Sequence, residues 1–142
     1  MTESQMPSRS DSSAFDAGGA EIGRKHDGNT TLGELRARLE AFTAARDWEQ
    51  FHSPRNLAIS IAIEAAELLE HYQWHEARGA QKGFDAKQFQ AEVAAELADV
   101  MIYCLHFANA TDTDVAQAIL DKLARNETRF PVAVVRGRVG DE

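Results

Sequence analysis

The chain has 142 residues, 44% of them hydrophobic, and a formal net charge of −8. That length suits one domain with a substantial core, and the acidic balance excludes a general binder of nucleic-acid backbone, which needs clustered Lys and Arg. The single cysteine, Cys104, excludes an internal disulfide. With no apolar run long enough to span a bilayer and no signal-peptide pattern, a reducing cytoplasmic setting and no membrane partner are expected.

Residues 1–28 are rich in Ser, Gly, Asp and Thr and read as a disordered tail. Residues 29–131 form the expected domain, and 132–142 a second, flexible tail. Four helical segments are predicted between the tails. The first runs from about Thr31 to Arg46. Thr31 with Glu34 forms a capping-box pattern, and Leu32, Leu35, Leu39 and Phe42 recur at helical spacing. A polar and aromatic connector, residues 47–53, follows.

The second segment begins at Pro54, with Ser53 as cap, and continues to about Trp74. Gly79 and Gly83 mark a loop. The third runs from about Ala86 to Asn109 behind a cap at Asp85 with Gln88. The fourth runs from about Thr113 to Arg129, with Val115, Ile119, Leu120 and Leu123 as its apolar positions, and Pro131 ends it. No stretch alternates as a strand would. The expected fold is all-α, an antiparallel four-helix bundle.

Two of these segments carry narrow acidic stripes. Between Leu57 and Leu69 the only polar residues are Ser60, Glu64 and Glu67, and His71 continues their spacing. At about 100° per residue they share one face, so the rest of that helix is expected to be buried. In the third segment Glu92, Glu96, Asp99, Tyr103 and His106 form a matching stripe on an otherwise apolar helix. A solvated face or a salt-bridge network with the fourth helix are the plainer readings. A solvated face, however, mixes Lys and Arg with Glu over a wide arc, and neither stripe contains a Lys or an Arg.

If the two helices pack antiparallel, Glu64, Glu67, Glu96 and Asp99 can converge. Four such carboxylates repel and cannot all stay ionised without a cation. An all-oxygen set suits a hard ion, Mg2+, with Mn2+ able to substitute. A di-iron bundle would need two Glu-x-x-His pairs in the core; Glu67 is followed at that spacing by Glu70, and Glu96 by Asp99.

Glu64-x-x-Glu67 followed by Glu96-x-x-Asp99 resembles the all-alpha nucleoside triphosphate pyrophosphatases, the MazG-like superfamily that also includes dimeric dUTPases. Residues 46–57, Arg-Asp-Trp-Glu-Gln-Phe-His-Ser-Pro-Arg-Asn-Leu, are similar to the dCTP pyrophosphatase subfamily, as are Gln73-Trp74 and residues 125–131. The resemblance covers about residues 30–131. It implies hydrolysis between the α and β phosphates of a nucleoside triphosphate, Mg2+ held by Glu64, Glu67, Glu96 and Asp99, and a homo-dimer or homo-tetramer with active sites close to subunit interfaces.

On that reading, Glu64 and Glu67 are both candidates for orienting the attacking water. Lys122, Arg125 and Arg129 share a face of the fourth helix with Asn126 beside it. An ordinary basic face near a helix C-terminus explains them as well as phosphate binding does; the resemblance favours Lys122 and Asn126, which match the family's Lys-x-x-x-Asn. Arg55 and Asn56 open the second helix, where backbone N–H groups favour anions. Trp48, His52, Trp74 and Tyr103 are candidates for holding the base by stacking, with core or interface packing as the plainer role of each Trp. His71 and His106 read as satisfied core histidines, Phe51 as a packing residue and Cys104 as a small buried hydrophobe.

Three functions remain open on sequence alone. One is a pyrophosphatase for dCTP or a modified dCTP. The second is a related enzyme for dUTP or a damaged nucleotide. The third is a non-enzymatic helical module whose acidic groove binds a basic partner.

Overall fold

The computed structural model describes residues 25–79 and 82–138. Most of the expected N-terminal tail, residues 1–24, and the end of the C-terminal one, 139–142, lie outside the described residues. The described residues form α1 (Leu32–Ala44), α2 (Pro54–Gln73), α3 (His75–Gly79), α4 (Ala86–Ala110), α5 (Val115–Arg129) and α6 (Val132–Val135). Single 3-10 turns at Asp27–Asn29 and Glu49–Phe51 complete them. There is no strand among these residues, and no helix is long and apolar enough to cross a membrane.

Local chemistry sets the helix starts. Thr31 Oγ1 accepts from the Glu34 N–H at 3.1 Å, and the Glu34 carboxylate accepts from the Thr31 N–H at 2.8 Å. These bonds and Lys25 at 2.9 Å hold the Glu34 carboxyl down to about pKa 2, from an ordinary 4.5. The lowered value means this cap stabilises the fold above pH 4.5, and its contribution is lost as the pH falls toward 2. Ser53 caps α2 ahead of Pro54, Asp85 caps α4 and Asp114 caps α5, each through its side chain. Asp47 and Asp112 end their turns at φ 52°, a left-handed conformation that Asp tolerates better than most residues.

Three differences from the sequence reading stand out. Residues 75–79, expected as loop, form α3, and the turn falls later, at Gly83 (φ 97°). Residues 132–135 make one helical turn where a loose end was expected. The largest concerns the bundle. α2 and α4 are the principal packed pair, and α1 leans on α4, but α5 makes no more than isolated contacts with any of them.

One chain therefore builds a three-helix layer with α5 standing off. The buried apolar side chains among the described residues are Leu57, Leu105 and Ala108. α2, expected to be buried on most sides, leaves Ile59, Ile63 and Leu69 exposed, Leu69 at 68%, and α5 exposes Ile119, Leu120 and Leu123. Apolar periodicity reports that a face seeks cover; it does not say whether the same chain supplies it. Cys104 is half-buried rather than enclosed.

α2 and α4 run antiparallel, since His52 meets His106 at one end and Tyr72 meets Phe89 at the other. α1 is locked to the end of α4 by Arg36, which the sequence reading did not single out. Its Nε donates to Asn109 Oδ1 at 2.6 Å, while Nη1 and Nη2 donate to the backbone oxygens of Thr113 and Ala108 at 3.1 and 3.4 Å. Asn109 Nδ2 donates back to the Arg36 carbonyl at 3.3 Å. A cation at this position also suits the negative end of the α4 dipole. Arg36→Ala is expected to destabilise the fold by about 2 kcal/mol, the usual scale for losing charge-assisted hydrogen bonds, measured by urea denaturation.

Candidate metal centre and nucleotide site

The antiparallel pair places the two acidic stripes face to face. Carboxylate oxygens of Glu64, Glu96 and Asp99 all lie within 4.8 Å of one another, and each residue is half-buried. The Glu64 carboxyl is held above the ordinary carboxylate range, first by loss of solvent and then by the charges of Glu67, Asp99 and Glu96. Lost solvent and gathered like charges both disfavour its ionised form. Three hard oxygen donors converging from two rigid helices fit a divalent cation such as Mg2+, with room left for other ligands.

Glu67 is near enough for its charge to act on Glu64, yet it is not one of the three converging groups. It lines a neighbouring hollow of about 280 Å3 with Glu70, His71 and Glu96. His71 is not a satisfied core residue. It stands between two carboxylates, with Nδ1 3.9 Å from Glu92 and Nε2 3.7 Å from Glu96, and its ring meets Phe89 edge-on. Glu92 thereby belongs to the rim of the acidic groove.

Farther along α4 come Tyr103 and His106, with ring centroids 6.5 Å apart, and His52 against His106 at 4.6 Å. His106 is buried, and burial together with the neighbouring His52 lowers its pKa. Trp48 follows α1, its N–H donating to the Thr43 carbonyl at 3.2 Å and its ring set edge-on to Phe42, over which Arg46 lies at 3.6 Å. Trp48 stays largely exposed, as does Trp74 at the end of α2. Phe51 is exposed as well, which does not match a packing role within one chain.

Asn56 is committed locally, because its Nδ2 donates to the Phe51 carbonyl at 3.0 Å and holds the connector against α2. Arg55 is exposed at the opening of that helix. Lys122, Arg125 and Arg129 are exposed on α5, with Asn126 half-buried, and Arg129 lies 5.0 Å over the Phe130 ring. The structure thus gathers Glu64, Glu96 and Asp99 with Glu67 nearby, sets His52 and Tyr103 against His106 farther along α4, and leaves the basic residues of α5 off the bundle.

Residues 59–136 match the model of the MazG-like family. A pyrophosphatase from Archaeoglobus fulgidus DSM 4304, known by crystal structure, superposes with a TM-score of 0.59 at 33% identity, covering 78% of this chain and 99% of that one. The chain belongs to the MazG-like family. The expected family and all-helical class therefore hold. The chain is also similar to dCTP pyrophosphatase 1 of Rattus norvegicus, 38% identical over 108 residues, and of Homo sapiens, 36% over 107. Those alignments cover 75% of this chain and span 63% and 62% of the relatives' own lengths.

The charge crowding has a measurable consequence. Glu64→Gln removes one member of the repelling set, so the metal-free variant is expected to melt higher than the metal-free wild type. Mg2+ at a hundredfold excess over its Kd should stabilise the wild type by about 2.7 kcal/mol and the variant far less. Thermal melting with MgCl2 against an equal ionic strength of NaCl reads both.

Proposed function

We propose that the chain is a Mg2+-dependent nucleotide pyrophosphohydrolase that converts dCTP and water to dCMP and pyrophosphate, and so trims the free nucleotide pool. The observation that carries this is the convergence of Glu64, Glu96 and Asp99 on the facing helices of a MazG-like fold. The naming of the similar mammalian proteins as dCTP pyrophosphatases supports the base assignment.

Glu64, Glu96 and Asp99 would hold the metal, with Glu67 beside them. When bound, Mg2+ (or Mn2+ in its place) offsets the phosphate charge and polarises the reacting phosphoryl group. Glu64 or Glu67 would orient the attacking water and take its proton; that Glu67 lies outside the converging trio favours it. Lys122, Arg125, Asn126 and Arg129 supply partners for the leaving pyrophosphate, and Arg55 a further cation at the start of α2. Trp48, Trp74 and Tyr103 offer flat faces for the nucleoside.

The working form is a homo-dimer or homo-tetramer. The exposed Ile119, Leu120 and Leu123 of α5 and the exposed face of α2 support this. Burying one such side chain is worth about 1.5–3 kcal/mol, so a second copy gains much by covering these faces. The same assembly would hold α5, and with it the phosphate-binding residues, in place. A mass near that of one 15.7 kDa chain in light scattering would contradict it.

The test is product analysis. Each common dNTP is incubated with the protein and Mg2+, or with excess chelator, and nucleotides and pyrophosphate are separated by chromatography. We expect dCMP and pyrophosphate from dCTP only with metal, and other bases to react more slowly. Glu96→Gln should reduce kcat by about 100-fold or more, the scale of losing transition-state electrostatic stabilisation. Faster turnover of another nucleotide would move the substrate and keep the chemistry, whereas release of orthophosphate would contradict the reaction itself.

A further inference from the structure

His71 has no part in the chemistry assigned above, yet it extends the acidic stripe of α2. It lies four residues after Glu67 and seven after Glu64, hence on the face that carries both. From there it faces α4. Its Nε2 is 3.7 Å from Glu96 Oε1, and its Nδ1 is 3.9 Å from Glu92 Oε2. Glu92 and Glu96 are about one helical turn apart, so a single imidazole spans both.

Both the ring and its outer partner are held in place. Phe89 meets the His71 ring edge-on with centroids 6.2 Å apart, and Phe89 is itself packed by Tyr72 at 5.6 Å and stacked on His75 at 4.3 Å. Gln88 Nε2 donates to Glu92 Oε1 at 2.9 Å, which leaves Oε2 turned to His71. A file of side chains therefore runs Gln88, Glu92, His71, Glu96, and its inner end is one of the three converging carboxylates. Water thins along it: the Glu92 side chain is 47% exposed, His71 21% and Glu96 22%. Both nitrogen–oxygen gaps exceed a hydrogen bond, so the imidazole acts on each carboxylate through its charge distribution or through one bridging water. The inner contact, less screened, is the stronger of the two.

We propose that His71 is a positioning residue for the metal centre: it fixes the rotation of the Glu96 carboxylate so that Glu96 meets Glu64 and Asp99, and Glu92 in turn fixes His71. This rests on the metal reading given above. A glutamate side chain is long and rotates freely, and the charges of Glu96 and Glu64 repel each other, so an unheld Glu96 would swing out of the trio. Partners that hold a metal-binding carboxylate from behind commonly set metal affinity by about 10–100-fold. Glu67 and Glu70 face the same hollow beside His71, and neither makes the bridge to α4 that Glu92 and His71 make.

The test needs no turnover. Mn2+ affinity is read from the free-ion electron paramagnetic resonance signal on the full chain as wild type, His71→Phe and His71→Gln. His71→Phe keeps a ring against Phe89 and removes both nitrogens. We expect it to weaken Mn2+ about tenfold. His71→Gln returns an amide N–H to Glu96 and should recover most of that loss. Glu92→Gln should weaken Mn2+ in the wild type and much less in the His71→Phe background, because the two residues act in series.

Unchanged affinity in His71→Phe would overturn the proposal. Tighter Mn2+ binding would overturn it too, since His71 would then be a resident counter-ion that the metal displaces. An equal loss in His71→Phe and His71→Gln would reduce the role to packing. If His71→Phe does not fold, Glu92→Gln is compared with Glu70→Gln, which removes the same charge from the same neighbourhood. The proposal requires the larger loss from Glu92→Gln, and equal losses would contradict it. The two readings fail separately. A wild type that binds no Mn2+ removes the ion site and this role with it, whereas wild-type binding that His71→Phe leaves intact removes the role and keeps the site.

Discussion

Repulsion among carboxylates on two facing helices is the constraint that the rest of this structure answers. Glu64, Glu96 and Asp99 converge to within 4.8 Å, with Glu67 adding its charge from the next turn. Nothing in the described residues neutralises the trio; His71 faces Glu92 and Glu96 from one side only. A fold would abandon such a cluster if its helices could slide. Here aromatic contacts join both ends of the α2–α4 pair, and Arg36 fastens α1 across the end of α4. Contacts of this kind oppose the relaxation that would otherwise spread the charges apart.

The same pair explains why one chain looks unfinished. Turning both acidic stripes toward each other leaves the backs of the helices apolar, and α1 alone covers too little of them. Few apolar side chains are buried, and many large ones lie open on α2, α4 and α5. Proteins of this size usually bury more. The acidic cluster and the exposed apolar faces therefore share the same two helices.

Much of this was legible in the sequence. Caps at Thr31, Ser53 and Asp85 fixed three helix starts because each rests on local hydrogen bonds. The acidic stripes were legible because helical periodicity puts residues three and four apart on one face. What stayed hidden depended on partners far along the chain. Arg36 is one of several arginines until α4 ends beside it, 73 residues away. His106 read as a core histidine and is buried, but its ring neighbours His52 and Tyr103 are not legible from its spacing alone. α5 has the pattern of a bundle helix, and the pattern says nothing of whether the same chain covers it. α3 was missed because Gly79, which reads as a breaker, falls at its last residue.

The central claim is that the carboxylate trio holds the ion that a nucleotide's phosphates then share. Its most direct test is Mn2+ titration followed by electron paramagnetic resonance, with and without a dCTP analogue whose α–β bridge is an imido group. The account predicts Mn2+ binding by the wild type that tightens with the analogue, and loss of both effects in Asp99→Asn. Mn2+ binding that is unaltered in Asp99→Asn, or indifferent to the nucleotide, would contradict it.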